Sequence, residues 1–204
     1  MAELTAADVS TFTGGRLAND GGSGEVTRML NAALTVARSQ VGWHVSPVRT
    51  GDVVVLDGPG SSILDLPTLK LVTLTSVVED GVTLDVTKIK ASANPTSSEP
   101  LPVRLRKTTS PYWWSCNYQA VAVTMTHGYT ETEAADWRQA ILTMVDQMSR
   151  LPTGSSGRSD ADLSVKKVDD VQYEWGAYTA MAEQVLFSVE SILCGYELAP
   201  VYFA

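Results

Sequence analysis

Cysteine and histidine are scarce in this sequence, with two of each in 204 residues. Cys116 and Cys194 lie far apart and lack any metal-like spacing, which excludes a disulfide framework and a zinc site built on paired cysteines. They read as free thiols of a reducing compartment. Positive charge is scarce as well: 15 Lys and Arg against 23 Asp and Glu leave a net charge of −8. Tight non-specific binding to phosphate backbones needs clustered cations, so it is disfavoured for the chain as a whole. The one basic cluster, Arg104, Arg106 and Lys107, reads as a solvated strand face. No apolar run approaches the roughly 20 residues that cross a bilayer. The opening MAELTAADVS carries acid and alanine where an export signal carries a basic region and an apolar core. A soluble protein made in the cytoplasm, with no membrane partner, is expected.

Catalytic patterns are missing too. His44 and His127 stand at no spacing from Cys, Asp or Glu that assembles a ligand set or a catalytic pair, and both read as structural. The glycine-rich stretch 14–24 lacks the Gly-Lys-Ser/Thr ending of a phosphate loop and follows no strand. Ser155 and Ser156 sit between glycines with no preceding strand to form a nucleophile elbow, so a linker is expected there. No nucleophile, base and orienting group can be nominated together. The expectation is a chain that is not an enzyme, with no catalytic residue, cofactor or metal.

What is present is a clear alternation of periods. Thr5 caps a short helix over 6–12, with Asp8 in its first turn. From Glu25 the residues Val26, Met29, Leu30, Ala33, Leu34, Ala37 and Val41 form an amphipathic stripe that stops at Gly42. Beyond Trp43 the period becomes strand-like. Val53 to Leu56 is bounded by turn residues, and a hairpin joins Leu71–Glu79 to Val82–Val86 through Asp80-Gly81, a type I′ dipeptide. Residues 91–102, with three prolines, form an irregular loop or an exposed edge. Strands are expected over 103–107 and 120–126, the latter with Val121, Val123 and Met125 on one face. Thr130 and Glu133 make a capping box before a long helix striped by Trp137, Ile141, Met144, Val145 and Met148. A small hairpin follows around Asp169-Asp170, then a last helix over 177–192. The apolar tail 194–204 is too short and too marked by Pro and Gly to extend it.

Together these elements predict an α+β chain: a helical bundle core with an inserted antiparallel β-rich domain, a second small hairpin and an extended C-terminal arm. The expected divisions are 1–42, the first helices; 43–129, the β-rich insertion; 130–193, the remaining helices with their hairpin; and 194–204, the arm. Two features call for a partner. Tyr112, Trp113 and Trp114, beside Tyr118, are dense enough to be buried, to anchor a protein interface or to stack on sugars or bases. The arm residues Tyr196, Leu198, Pro200, Tyr202 and Phe203 dock either on their own bundle or on a neighbour.

The ordered strings ELTAADVSTFTGG, VGWHV, LVTLTSVVEDGVTL, VAVTMTHGY leading into ETEAADWRQAILTMV, and DLSVKKVDDVQYEW make the chain similar, from end to end, to the head-to-tail adaptor (connector) proteins of long-tailed phages, particularly those infecting actinobacteria. The strand VAVTMTHGY followed at once by a capped helix is the most specific piece. The resemblance implies a structural virion protein of the phage neck, made in the host cytoplasm. It would form a dodecameric ring between the portal protein and the tail stopper or completion protein, with double-stranded DNA passing through the channel. No cofactor belongs to the family. An acidic lumen wall would let DNA slide, with Glu131, Glu133, Asp136, Asp169 and Asp170 as candidate channel-lining residues. The competing expectation is a phage tail or surface binding module that uses Tyr112 to Trp114 to recognise a glycan or host surface.

Overall fold

In the computed structural model of the protein, residues 3–92, 101–150, 165–168, 171–174 and 189–198 are described. The fold is α+β, and the chain divides into two compact units. One comprises Met1–Glu3, Arg38–Ala135 and Gly195–Ala204; the other comprises Leu4–Ala37 and Asp136–Cys194.

The helical unit is built from the stripes expected of it. Helix α1 (Ala6–Phe12) begins on a capping box in which the Thr5 backbone N–H donates to Asp8 at 2.8 Å, and it buries Ala6 and Val9. In α2 (Glu25–Val41), Val26, Leu30, Ala33, Leu34 and Ala37 are buried. Helix α3 (Ala135–Met148) buries Trp137, Ala140, Ile141 and Val145. The Thr130–Glu133 capping box forms, with the Thr130 N–H donating to Glu133 at 3.0 Å, but turns occupy 131–134 and the regular helix starts only at Ala135. Arg16 ties the loop after α1 to the end of α3, pairing with Asp146 and donating to the Ser149 hydroxyl at 2.8 Å. Strands β8 (Val165–Val168) and β9 (Val171–Glu174) pair antiparallel around positions 169–170, as their alternation predicts. Residues 189–194 are helical, so the last helix runs slightly past its expected end, while 177–188 lie outside the described residues.

The unit built on Arg38–Ala135 contains a pair of antiparallel sheets. Strands β1 (Arg49–Leu56), β3 (Leu71–Glu79), β4 (Val82–Leu84) and β7 (Val121–His127) form one, in the order β1-β7-β3-β4. The other, in the order β2-β6-β5, contains β2 (Leu64–Asp65), β6 (Arg104–Lys107) and β5 (Ile89–Ala91). Their inward faces share one core that includes Val77, Val121, Val123 and Met125 from the first sheet and Leu64, Ile89 and Leu105 from the second. Alternation on β7 is complete, with Val121, Val123, Met125 and His127 buried and the residues between them half-buried. The Asp80-Gly81 turn has φ of +47° and +80°, the left-handed pair that a type I′ turn requires.

Two expectations are corrected. Lys107 does not belong to a solvated face: β6 alternates exposed and buried, and Lys107 takes the inward parity of Leu105, at 6% exposure. Arg104 and Arg106 do face outward, Arg104 pairing with Asp65 at 2.9 Å. The stretch read as irregular from 91 onward begins inside β5, because Ile89, Lys90 and Ala91 pair with β6. Among the described residues, no helix is long and apolar enough to cross a membrane.

Candidate functional site

The loop between β6 and β7 carries the aromatic group, and it is held firmly. Its anchor is the inward Lys107, whose ammonium donates to Glu79 at 2.5 Å and to the Trp113 carbonyl at 2.9 Å. The same nitrogen lies 4.7 Å from the centre of the Trp114 ring. The other Glu79 oxygen accepts the Ser115 N–H at 2.8 Å. A buried ammonium is costly unless its protons and charge are matched; here a carboxylate, a carbonyl and an aromatic face do so.

A second set of contacts pins the far side of the loop. Gly58 donates to the Asn117 carbonyl at 2.8 Å, Gly60 to Ser115 at 3.0 Å, and Trp114 to Ser61 at 2.8 Å. Gly58 is required at that approach, since a Cβ there would stand 2.0 Å from the Ser115 carbonyl oxygen. Asp57 accepts the Gln119 N–H at 2.7 Å. The Asn117 amide donates to Asp80, a bond that holds the Asp80 carboxyl below its ordinary range.

The three candidate aromatics therefore separate. Trp114 is buried at 2% exposure, whereas Tyr112 and Trp113 are exposed at 51% and 65%, and Tyr118 stands further out. Trp113 and Pro111 border a shallow depression floored by Trp114, Glu79 and Lys107. Exposed aromatics on a pre-ordered loop lose little entropy on contact, which suits them to anchoring an interface or stacking on a ligand.

The arm starts on its own unit. The Trp43 indole N–H donates to the Tyr196 carbonyl at 2.7 Å, and the Leu198 N–H donates to Val41 at 3.0 Å. The Tyr196 ring meets Tyr129 edge-on at 5.5 Å, and Tyr129 meets Trp43 in the same manner at 5.8 Å. Pro200, Tyr202 and Phe203 lie outside the described residues.

Beside this aromatic chain, both histidines are buried. His127 Nε2 bonds Asp52 at 2.9 Å, which holds the Asp52 carboxyl low, and the His44 ring donates to the Pro47 carbonyl. Burial pushes the His44 pKa down to about 4, with Arg49, Arg38 and His127 adding like charge and the Pro47 bond acting against them. Sequence spacing did not reveal the Asp52–His127 pair, which β1–β7 pairing brings together. The Nδ1 atoms of both rings are buried without a hydrogen-bond partner. Among the described residues, neither Nδ1 holds a nucleophile. Among the described residues, no group of three or more His, Cys, Asp or Glu side chains could hold a metal ion. Cys116 and Cys194 are exposed and free.

Of the acidic candidates, Glu131, Glu133 and Asp136 gather at the start of α3, Glu131 half-buried and the other two exposed. Glu133 is engaged by its own chain: bonds from Thr130 and Lys70 lower its pKa to about 2, and Lys70 pairs with it at 3.0 Å. Asp136 accepts the Trp137 N–H at 2.8 Å. Asp169 and Asp170 lie outside the described residues.

No protein-family model matches the chain, and no curated protein matches it. Solved structures match along nearly all of it. A chain in the neck of a native GTA particle computed with C12 symmetry aligns at a TM-score of 0.57 and 10% identity, covering 99% of this chain and 95% of that one. A chain in the neck of an empty GTA particle computed with C6 symmetry aligns at 0.57 and 14%, covering 98% and 91%. A chain in the virion of a native gene transfer agent particle aligns at 0.56 and 13%, with the same coverage of 98% and 91%. At these identities the likeness is one of fold, and it extends through both units.

Proposed function

We propose that the chain is a structural protein of a virion neck: the head-to-tail adaptor, a ring subunit between the portal and the tail stopper or completion protein. The observation that carries this reading is the end-to-end fold likeness to chains of a neck with C12 symmetry, 99% of this chain being covered. The likeness in fold agrees with the resemblance in sequence wording, although the two rest on different features of the chain. The net charge of −8 suits a lumen through which DNA slides without sticking. The exposed Tyr112 and Trp113 suit an interface anchor on the ring's surface.

The test is electron microscopy of purified portal-bearing heads incubated with the full chain. The expected result is a ring of twelve copies beneath the portal. Heads that take up no chain would overturn the reading. A specific observation also favours the binding-module reading, namely the exposed Tyr112, Trp113 and Tyr118 on a pinned loop. Antibody labelling of whole particles separates the two, since an adaptor labels at the neck and a host-recognition module at the tail tip.

A further inference from the structure

We propose that the outer face of the four-stranded sheet is a lateral contact surface for a neighbouring copy of this chain. The inference rests on the ring reading above and adds to it the surface that closes the ring.

The strand register defines the face. Val55, Ala122 and Val78 lie in one row across β1, β7 and β3, and Val53, Thr124 and Ser76 lie in the next. The opposite parity, Val54, Val123 and Val77, points into the core. An antiparallel sheet with one face in water ordinarily carries polar and charged side chains there. This one carries none of the chain's 15 Lys and Arg or 23 Asp and Glu in either row. Val53 and Val55 are instead exposed at 59% and 55%. They sit on β1, an edge strand whose charges, Arg49 and Asp52, and whose bulge all precede Val53.

Charge selects the occupant. Nucleic acid needs cations on the face that receives it, and a strongly charged protein partner needs opposite charge; the face offers neither. Copies of a chain with net charge −8 repel one another, so they approach at least cost through a surface free of charge. Area then decides when they meet. Three strands about 4.8 Å apart and two rows, about four residues at about 3.4 Å each, outline a face of about 200 Å². That is well below the roughly 800 Å² per partner of a standard stable interface. The contact is too small to hold free copies together, and it closes once the portal sets copies side by side and raises their effective concentration.

The experiment loads portal-bearing heads with the full-length chain carrying Val53→Glu and Val55→Glu. The control carries Val36→Glu and Gln40→Glu, an equal charge load on the exposed face of α2. Circular dichroism checks folding, and Val53→Lys with Val55→Lys serves if the glutamates unfold β1. Copies per head are counted by quantitative mass spectrometry. Wild type and control should fill the ring, while the sheet variant should fall at least tenfold. A sheet variant that loads like wild type, or a control that falls equally, overturns the surface and leaves the neck reading standing. Wild type that fails to load overturns both.

Discussion

At the scale of single residues, Lys107 and His44 show how a fold can impose an environment that local sequence does not announce. Arg104, Arg106 and Lys107 look alike in sequence, and the parity of β6 alone sends the third inward, where Glu79 at 2.5 Å neutralises it. Removing one partner of a buried pair strands the other charge, so Lys107→Met should cost about 3 kcal/mol in urea denaturation. Glu79→Gln should cost a similar amount, and the double variant should cost less than the two added. A loss below about 1 kcal/mol for Lys107→Met would mean that water already serves the pair. His44 carries a pH dependence. Its folded pKa of about 4 lies below the ordinary 6.5, so the unfolded chain binds the proton more readily. Stability should be full above about pH 6.5 and fall as pH drops toward 4, by on the order of 2–3 kcal/mol, with little further loss from this group below that. Urea melts at pH 7 and pH 4.5 measure the fall, and His44→Gln should flatten it. Glu133, held at about 2, adds a separate loss that begins below its ordinary 4.5.

At the scale of elements, what was legible depended on how far apart the signals lay. The Thr5 and Thr130 caps, the stripe of α2, the alternation of β7 and the Asp80-Gly81 turn are each written within a few residues, and the structure contains all of them. Strands β2 and β5, of two and three residues, are shorter than the run in which a period of two can be recognised. Their pairing partner β6 supplies the structure that their own residues do not signal. The candidate site was legible as composition but not as placement. Nothing in Tyr112-Trp113-Trp114 tells which ring turns inward; that follows from Lys107 and from the backbone bonds joining 58–61 to 114–117. Gly58→Ala tests those bonds, because its Cβ would meet the Ser115 carbonyl oxygen at 2.0 Å, a backbone atom with little freedom to move. The expected result is a loop released from its seat, read as a red-shifted Trp114 fluorescence component and a stability loss of about 2 kcal/mol. An unchanged spectrum would mean that the loop is held from the Lys107 side alone.

At the scale of the whole molecule, the arm is tested in two parts, the described residues 195–198 and the remainder of the tail. Residues up to Leu198 serve the chain's own unit: the Tyr196 carbonyl satisfies the Trp43 indole, its ring packs on Tyr129, and Leu198 is bonded to Val41. Beyond that point the sequence still contains Pro200, Val201, Tyr202 and Phe203, a composition suited to anchoring on another protein. Two truncations therefore behave differently. Deleting 195–204 strands the Trp43 donor and uncovers Tyr129, so it should lower stability by about 2 kcal/mol as well as impairing attachment. Deleting only 199–204 keeps the Tyr196 and Leu198 bonds, so it should spare the stability that those bonds supply. If the end of the arm holds the subunit to the portal or to the next subunit, the shorter deletion should nevertheless abolish the joining of heads to tails in an assembly assay. Normal joining by a chain that ends at Leu198 would confine the arm to folding and leave the lateral sheet face and the 110–119 loop to hold the ring.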